Sequence, residues 1–179
     1  MERLVIASPL RWLDGNLERI VMLVAYVACA AIIAVEVARR YLFSVQAPWS
    51  TTIPTYMFLW LTWIGAAYAV KARLHLNFGE IRGRLSRRAQ YWLMQIDYLM
   101  YLLFGAIVIY WSYDLLLLQI DNDAIVPGTD NAKAWWFYSA TPAGWSLLLL
   151  RVCQKAIEDW RDYVAGRPLQ VRGSLADIG

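Results

Sequence analysis

The sequence predicts an all-α integral membrane protein of four transmembrane helices, with a short amphipathic interfacial helix in the cytoplasmic loop between the second and third. Three observations carry this. The 179 residues are 60% hydrophobic, where a soluble domain is roughly half apolar, and mean hydropathy is +0.40. Apolar runs of bilayer length recur, a span needing about twenty residues at ~1.5 Å each. Ten Trp and eleven Tyr supply rings whose apolar body and polar tip suit a membrane interface.

Residues 1–16 mix polar and apolar side chains, with Arg3, Arg11, Trp12 and Asp14, and read as an amphipathic lead on the cytoplasmic membrane surface. The first crossing is expected over 17–43, uncharged from Ile20 to Val35 and long enough to tilt. The second is expected over 49–70. Pro54 falls in its first turns, where a missing N–H costs little, and Gly65, Ala66 and Ala67 offer a small-residue strip for close packing. The third covers 89–118, with Tyr91, Trp92 and Tyr98 toward one end and Tyr110, Trp111 and Tyr113 toward the other, as two interfacial belts. The fourth covers 135–160. Pro142 either caps this helix or kinks one that begins near Ala134. Residues 164–179, with Gly166, Pro168, Gly173 and Gly179, read as a cytoplasmic tail. The chain is one membrane domain over 17–163, and no cleaved leader is expected.

Basic residues orient it. Fourteen of the seventeen Lys and Arg lie before the first helix, between helices two and three, or late in the chain. That places both termini and the middle loop in the cytoplasm, with the loop 119–134 and its Asp121, Asp123 and Asp130 outside. Arg39 and Arg40 are the discordant pair. In the middle loop, Asn77 and Glu80 have the shape of a capping box. Phe78, Ile81 and Leu85 then share a helical face, apart from Arg82, Arg84 and Arg88, so that arginines meet lipid phosphates.

Charges within crossings are costly and usually paired. Glu36 stands three and four residues before Arg39 and Arg40, within reach of either; snorkelling to headgroups is the competing account for the arginines. Asp97 and Arg151 sit at comparable depths in helices three and four and are expected to pair. Asp114, with Asp121, Asp123 and Asp130, makes an acidic outer surface, read either as a docking patch or as an ordinary solvated loop.

Enzymatic chemistry is not expected. No nucleophile–base constellation, phosphate-cradling glycine loop or HExxH spacing occurs, so no cofactor, metal or nucleic-acid partner is expected. His75 is the single histidine and cannot by itself make a bis-imidazole haem site. Cys29 and Cys153 have no metal or disulfide spacing and read as small buried apolar side chains.

Pro48-Trp49-Ser50, the helix with Trp63-Ile64-Gly65-Ala66-Ala67-Tyr68-Ala69, the following Arg73-Leu74-His75-Leu76, and Trp136-Phe137-Tyr138-Ser139-Ala140-Thr141-Pro142-Ala143-Gly144 together resemble the small membrane (Q-type, DctQ-like) subunit of tripartite ATP-independent periplasmic (TRAP) transporters. The resemblance implies an inner-membrane complex with an obligate large membrane subunit of elevator type, and transient contact with a periplasmic substrate-binding protein. It implies sodium-driven import of an organic acid such as a carboxylate or sulfonate, without ATP. The small subunit's part would be to steady the large subunit's fixed scaffold among membrane lipids. Many members of that family carry acidic residues after the Trp-Ser pair; here Thr51 and Thr52 stand there, which removes one partner for Arg39 or Arg40. The alternative from a different class is a haem-free membrane anchor or assembly subunit of another enzyme complex; a third is a self-sufficient four-helix transporter.

Overall fold

A computed structural model of the chain describes residues 9–73 and 84–169. Four long helices and one single-turn helix account for most of them. These are α1 (Pro9–Phe43), α2 (Thr52–Lys71), α3 (Arg87–Asp121), α4 (Trp135–Tyr138) and α5 (Ala140–Val164). Among the described residues no strand forms; a lone antiparallel bridge joins Ile125 to Lys133.

α1 begins at Pro9 rather than at 17, so the expected lead is continuous with the crossing from that point. Proline is well placed at a first helical position because its fixed φ suits the helix and its missing N–H would be unpaired there anyway. Nothing between it and the apolar run stops the ladder. α2 begins at Thr52, three residues later than expected. Residues 47–51 are spent on a turn, in which Ser50 N–H bonds Ala47 O at 3.1 Å and Thr52 N–H bonds Trp49 O at 3.1 Å. α3 is capped by Ser86, whose hydroxyl accepts from the Ala89 N–H at 3.5 Å. Pro142 interrupts a helix that has already begun. Ser139 keeps right-handed helical angles between α4 and α5, but Pro142 has no N–H to give the Tyr138 carbonyl one turn back, and the ladder breaks there.

The expected interfacial helix lies mostly outside the described residues, as do Phe78, Ile81, Arg82 and His75. Of its other members, Arg84 and Leu85 precede α3 in a turn, and Arg88 is in α3's first turn.

α1 packs on α2, α2 on α5, and α5 on α3. α5 runs parallel to α2: Phe137, just before it, stacks on Tyr56 with centroids 4.8 Å apart, and Asp159 near its end meets Arg73 just past α2. The core is small. Ala67 and Val70 of α2 and Trp145, Leu148 and Val152 of α5 are buried, with Tyr98, Tyr101 and Leu102 of α3 against them. Glycine permits the closest approaches. A Cβ on Gly144 would overlap the Cβ of Trp63, and one on Gly105 would lie 2.6 Å from Leu149 Cδ2.

Among the described residues, three helical stretches are long and apolar enough to cross a membrane: Ile20–Phe43, Thr52–Lys71 and Arg87–Asp121. Their apolar side chains face outward, including Leu23, Val24, Leu103, Phe104 and Ile107. In water such exposure would be ruinous; in a bilayer it is the solvent-facing surface. The fold is an all-helical membrane bundle.

Candidate functional site

Two polar anchors hold opposite ends of this bundle, and they are where its charge chemistry concentrates.

At one end stands Glu36. Seven residues before the end of α1, it is 8% exposed. Its Oε1 accepts from Arg39 Nη1 at 2.6 Å, and its Oε2 accepts from the Ala47 N–H at 3.1 Å. The Ser50 hydroxyl donates to Ala47 O at 2.7 Å. One carboxylate thus neutralises a cation three residues along its own helix and fixes the turn that leads into α2. Arg40 does not share this carboxylate; it is exposed and lines a groove between α1 and α2. The same end carries the loop after α3. Val126 N–H bonds Ala132 O and Ala134 N–H bonds Ala124 O, both at 2.8 Å. Gly128, at φ +81°, sits so close to Pro48 O that a side chain would collide with it.

The opposite end is closed by Asp159, 1% exposed on α5. Arg73 grips it in a two-pronged pair, Nη2 to Oδ1 at 2.5 Å and Nη1 to Oδ2 at 3.1 Å. The Tyr98 hydroxyl of α3 donates to Oδ2 at 2.5 Å. Arg73 follows α2 and adopts φ 53°, a left-handed angle that costs a residue with a side chain about 1–2 kcal/mol and turns the guanidinium back onto α5. Burial works against the Arg73 cation, but its hydrogen bonds to Asp159 and the charges of Asp159, Tyr98 and Glu158 outweigh that and hold its pKa above the ordinary arginine value. The contribution of a cation so raised is complete at every pH below that ordinary value, so the Arg73 member of the clasp keeps its charge at neutral pH. Nearby, Arg87 Nη2 donates to the carbonyls of Asp162, Tyr163 and Arg167 at 2.9–3.0 Å. The Asp162 and Tyr163 carbonyls also accept the Arg167 and Gly166 N–H groups, and a cation at this end of α5 meets the helix dipole favourably. Tyr91 stacks on Tyr163 at 4.3 Å.

The remaining residues singled out from sequence are placed as follows. Arg151 is buried on α5 and donates Nη1 to Gln154 Oε1 at 2.8 Å. Asp97 is half-buried on α3, the helix packed against α5. Asp114, Asp121, Asp123 and Asp130 are all exposed, and Asp123 takes Lys133 Nζ at 2.6 and 2.7 Å. The acidic surface therefore carries a compensating cation within it. Cys29 is half-buried; Cys153 is exposed rather than buried, because its face of α5 points away from α2 and α3.

Sequence reasoning missed Asp159, and it placed Tyr98 in an interfacial belt where the structure packs it against the core and bonds it to Asp159. The available signal was spacing: Trp145, Val152 and Asp159 stand seven apart on the buried stripe of α5, two turns each. Each carboxylate oxygen of the two anchors accepts from a cation or from an N–H or O–H donor, so both anchors tie helices together. Among the described residues no group of His, Cys, Asp and Glu could hold a metal.

A family model described as tripartite ATP-independent periplasmic transporters, DctQ component, matches residues 29–162. The isethionate TRAP transporter permease protein DctMQ of Oleidesulfovibrio alaskensis is 24% identical over 151 residues, which are 81% of this chain and 24% of that protein. The sialic acid TRAP transporter small permease protein SiaQ of Vibrio cholerae is 22% identical over 147 residues, 82% of this chain and 83% of the relative. This chain is thus similar to about a quarter of the first protein and to most of the second.

Proposed function

Because the chain belongs to the DctQ-component family of tripartite ATP-independent periplasmic transporters, and is therefore a small permease subunit of a transporter and not an enzyme, we propose that it acts as a passive scaffold. It braces the fixed part of a large, elevator-type membrane subunit during sodium-driven uptake of an organic acid. The substrate is delivered by a periplasmic binding protein. The names of its relatives, one for isethionate and one for sialic acid, favour an organic anion.

The observation that carries the scaffold reading is the combination of a pinned interior and a broad apolar exterior. Asp159 joins α5 to both α2 and α3 at one end, and Glu36 fixes the α1–α2 turn at the other. Meanwhile α1 from Ile20 onward and α3 turn large apolar side chains outward. A body of that kind resists shear and offers surface to another membrane protein or to lipid.

The same reading includes four crossings in the inner membrane, both termini in the cytoplasm, and a domain over 17–163 between lead and tail. α5 carries Arg151, Lys155, Glu158 and Asp159, which dilute its apolar character. It is supported as the fourth span by running beside α2 from Tyr56 to Arg73. We further propose that Asp97 and Arg151 pair within the bundle, and that the aspartates at 114, 121, 123 and 130 face the binding protein. The haem-free anchor reading gains no observation of its own.

The test is reconstitution. The neighbouring large subunit is purified with and without this chain and placed in liposomes with the binding protein and a sodium gradient. Uptake is expected to require the chain, to fall in Asp97→Arg and Arg151→Asp separately, and to recover in the double exchange. Full sodium-driven uptake by the large subunit alone would overturn the scaffold role.

A further inference from the structure

A groove of about 460 Å³ runs between α1 and α2. Its composition changes along its length. Cys29, Ile33, Pro54 and Phe58 line the part toward the middle of the helices, while Arg40, Gln46 and Thr51 line the part beside the turn. From Cys29 to Arg40 is eleven residues of helix, or roughly 16 Å. That is the depth of one leaflet in a hydrocarbon core of about 30 Å.

Charge at the polar end is one-sided. Glu36 also lines the groove, but Arg39 and the Ala47 N–H occupy its two oxygens. Arg40 is exposed and meets no carboxylate among the described residues. The groove therefore offers an uncompensated cation at its mouth and an apolar trough beneath it.

We infer that this groove seats one phospholipid, its phosphate on Arg40 and one acyl chain along Ile33, Pro54 and Phe58. A free phosphate would satisfy Arg40 and leave the apolar walls unfilled. A transmembrane helix of a partner would fill the walls but, unless it carried an anion at headgroup level, would leave the Arg40 cation without a counter-charge. A phospholipid meets both demands in the right order, an anion at the interface and hydrocarbon below it. Guanidinium is also suited to phosphate, which it can grip with two parallel N–H bonds. The lipid would fill the wedge between α1 and α2 beside the turn that Glu36 fixes. It would belong to the leaflet holding the α1–α2 turn. The inference needs α1 and α2 to be in a membrane, but not the proposed role in uptake.

The test uses the full chain in phosphatidylcholine nanodiscs containing phosphatidylglycerol with a photoreactive acyl chain. Adducts are mapped by mass spectrometry of peptides. Adducts are expected to concentrate on the facing segments 29–40 and 54–58. Losing a charge-assisted contact should lower that yield about tenfold in Arg40→Gln, with labelling of α3 unchanged. Arg40→Lys should retain much of it, and Ile33→Trp, which fills the trough and leaves Arg40 in place, should abolish it. Equal yield in Arg40→Gln, or adducts spread evenly over α1 and α3, would overturn the inference. So would suppression of the labelling by inorganic phosphate present during irradiation. If the complex with the large subunit lost the adduct and a photoreactive group at Phe58 crosslinked to that subunit instead, the groove would be a protein contact. None of these readouts depends on transport.

Discussion

Asp159 is held by Arg73 and Tyr98, and the two contacts differ in kind. The first is an ion pair with almost no water around the carboxylate; the second is a neutral donor to the same oxygen that Arg73 Nη1 reaches. Removing one member of a buried pair strands the other, and such breaks cost about 3–5 kcal/mol. Removing a single hydrogen bond to a charged group costs about 1.5–3 kcal/mol. Thermal unfolding of the purified chain in detergent should therefore rank Asp159→Ala well below Tyr98→Phe, with both below the parent. Exchange of Asp159 for Leu should be milder than exchange for Ala if Arg73 can swing out to solvent. Were Asp159→Ala as stable as the parent, the clasp would be ornamental and the rigidity argued for this end of the bundle would have no source.

At the scale of elements, two glycines allow close approach for reasons that predict opposite outcomes. A Cβ on Gly144 meets the Cβ of Trp63, an atom fixed to the backbone of α2, so the helices must separate. A Cβ on Gly105 meets the methyl end of Leu149, which can rotate away. Alanine also improves helix propensity by about 1 kcal/mol over glycine. Gly105→Ala should then be near neutral, and Gly144→Ala should lose about 1–3 kcal/mol by overpacking, measurable in the same melting assay. Helix existence was legible in the sequence because apolar runs of bilayer length are hard to read otherwise. The end of α1 at Phe43 is where the sequence places it. The start of α2 is not, because a turn closed by Glu36 and Ser50 depends on a residue eleven positions earlier. The site was legible only where partners are neighbours in sequence: Glu36 and Arg39 are three apart, whereas Arg73 and Asp159 are 86 apart, a pairing that exists only once α2 and α5 lie parallel.

The whole molecule has two chemically different ends, and its packing fixes which segments share each. The α1–α2 turn and the 122–134 loop meet at Pro48 and Gly128. Arg73, Arg87 and the end of α5 meet at Asp159 and the last helical carbonyls. α1 returns along α2, with Met22 Sδ 3.4 Å from where a Gly65 side chain would begin, so its earlier half lies toward the Asp159 end. The basic residues Arg84, Arg87 and Arg88 crowd that end, while Asp121, Asp123 and Asp130 stand at the other. Lysine and arginine are retained on the cytoplasmic side during insertion, so the Asp159 end should face inward. A variant without Cys29 and Cys153 can carry one new cysteine at a time, Asp130→Cys or Arg84→Cys, both at exposed positions. A membrane-impermeant maleimide applied to intact spheroplasts should label the first and spare the second until the membrane is opened. Labelling of Arg84→Cys from outside would invert the molecule. The acidic loop would then face the cytoplasm, and no binding protein could reach it.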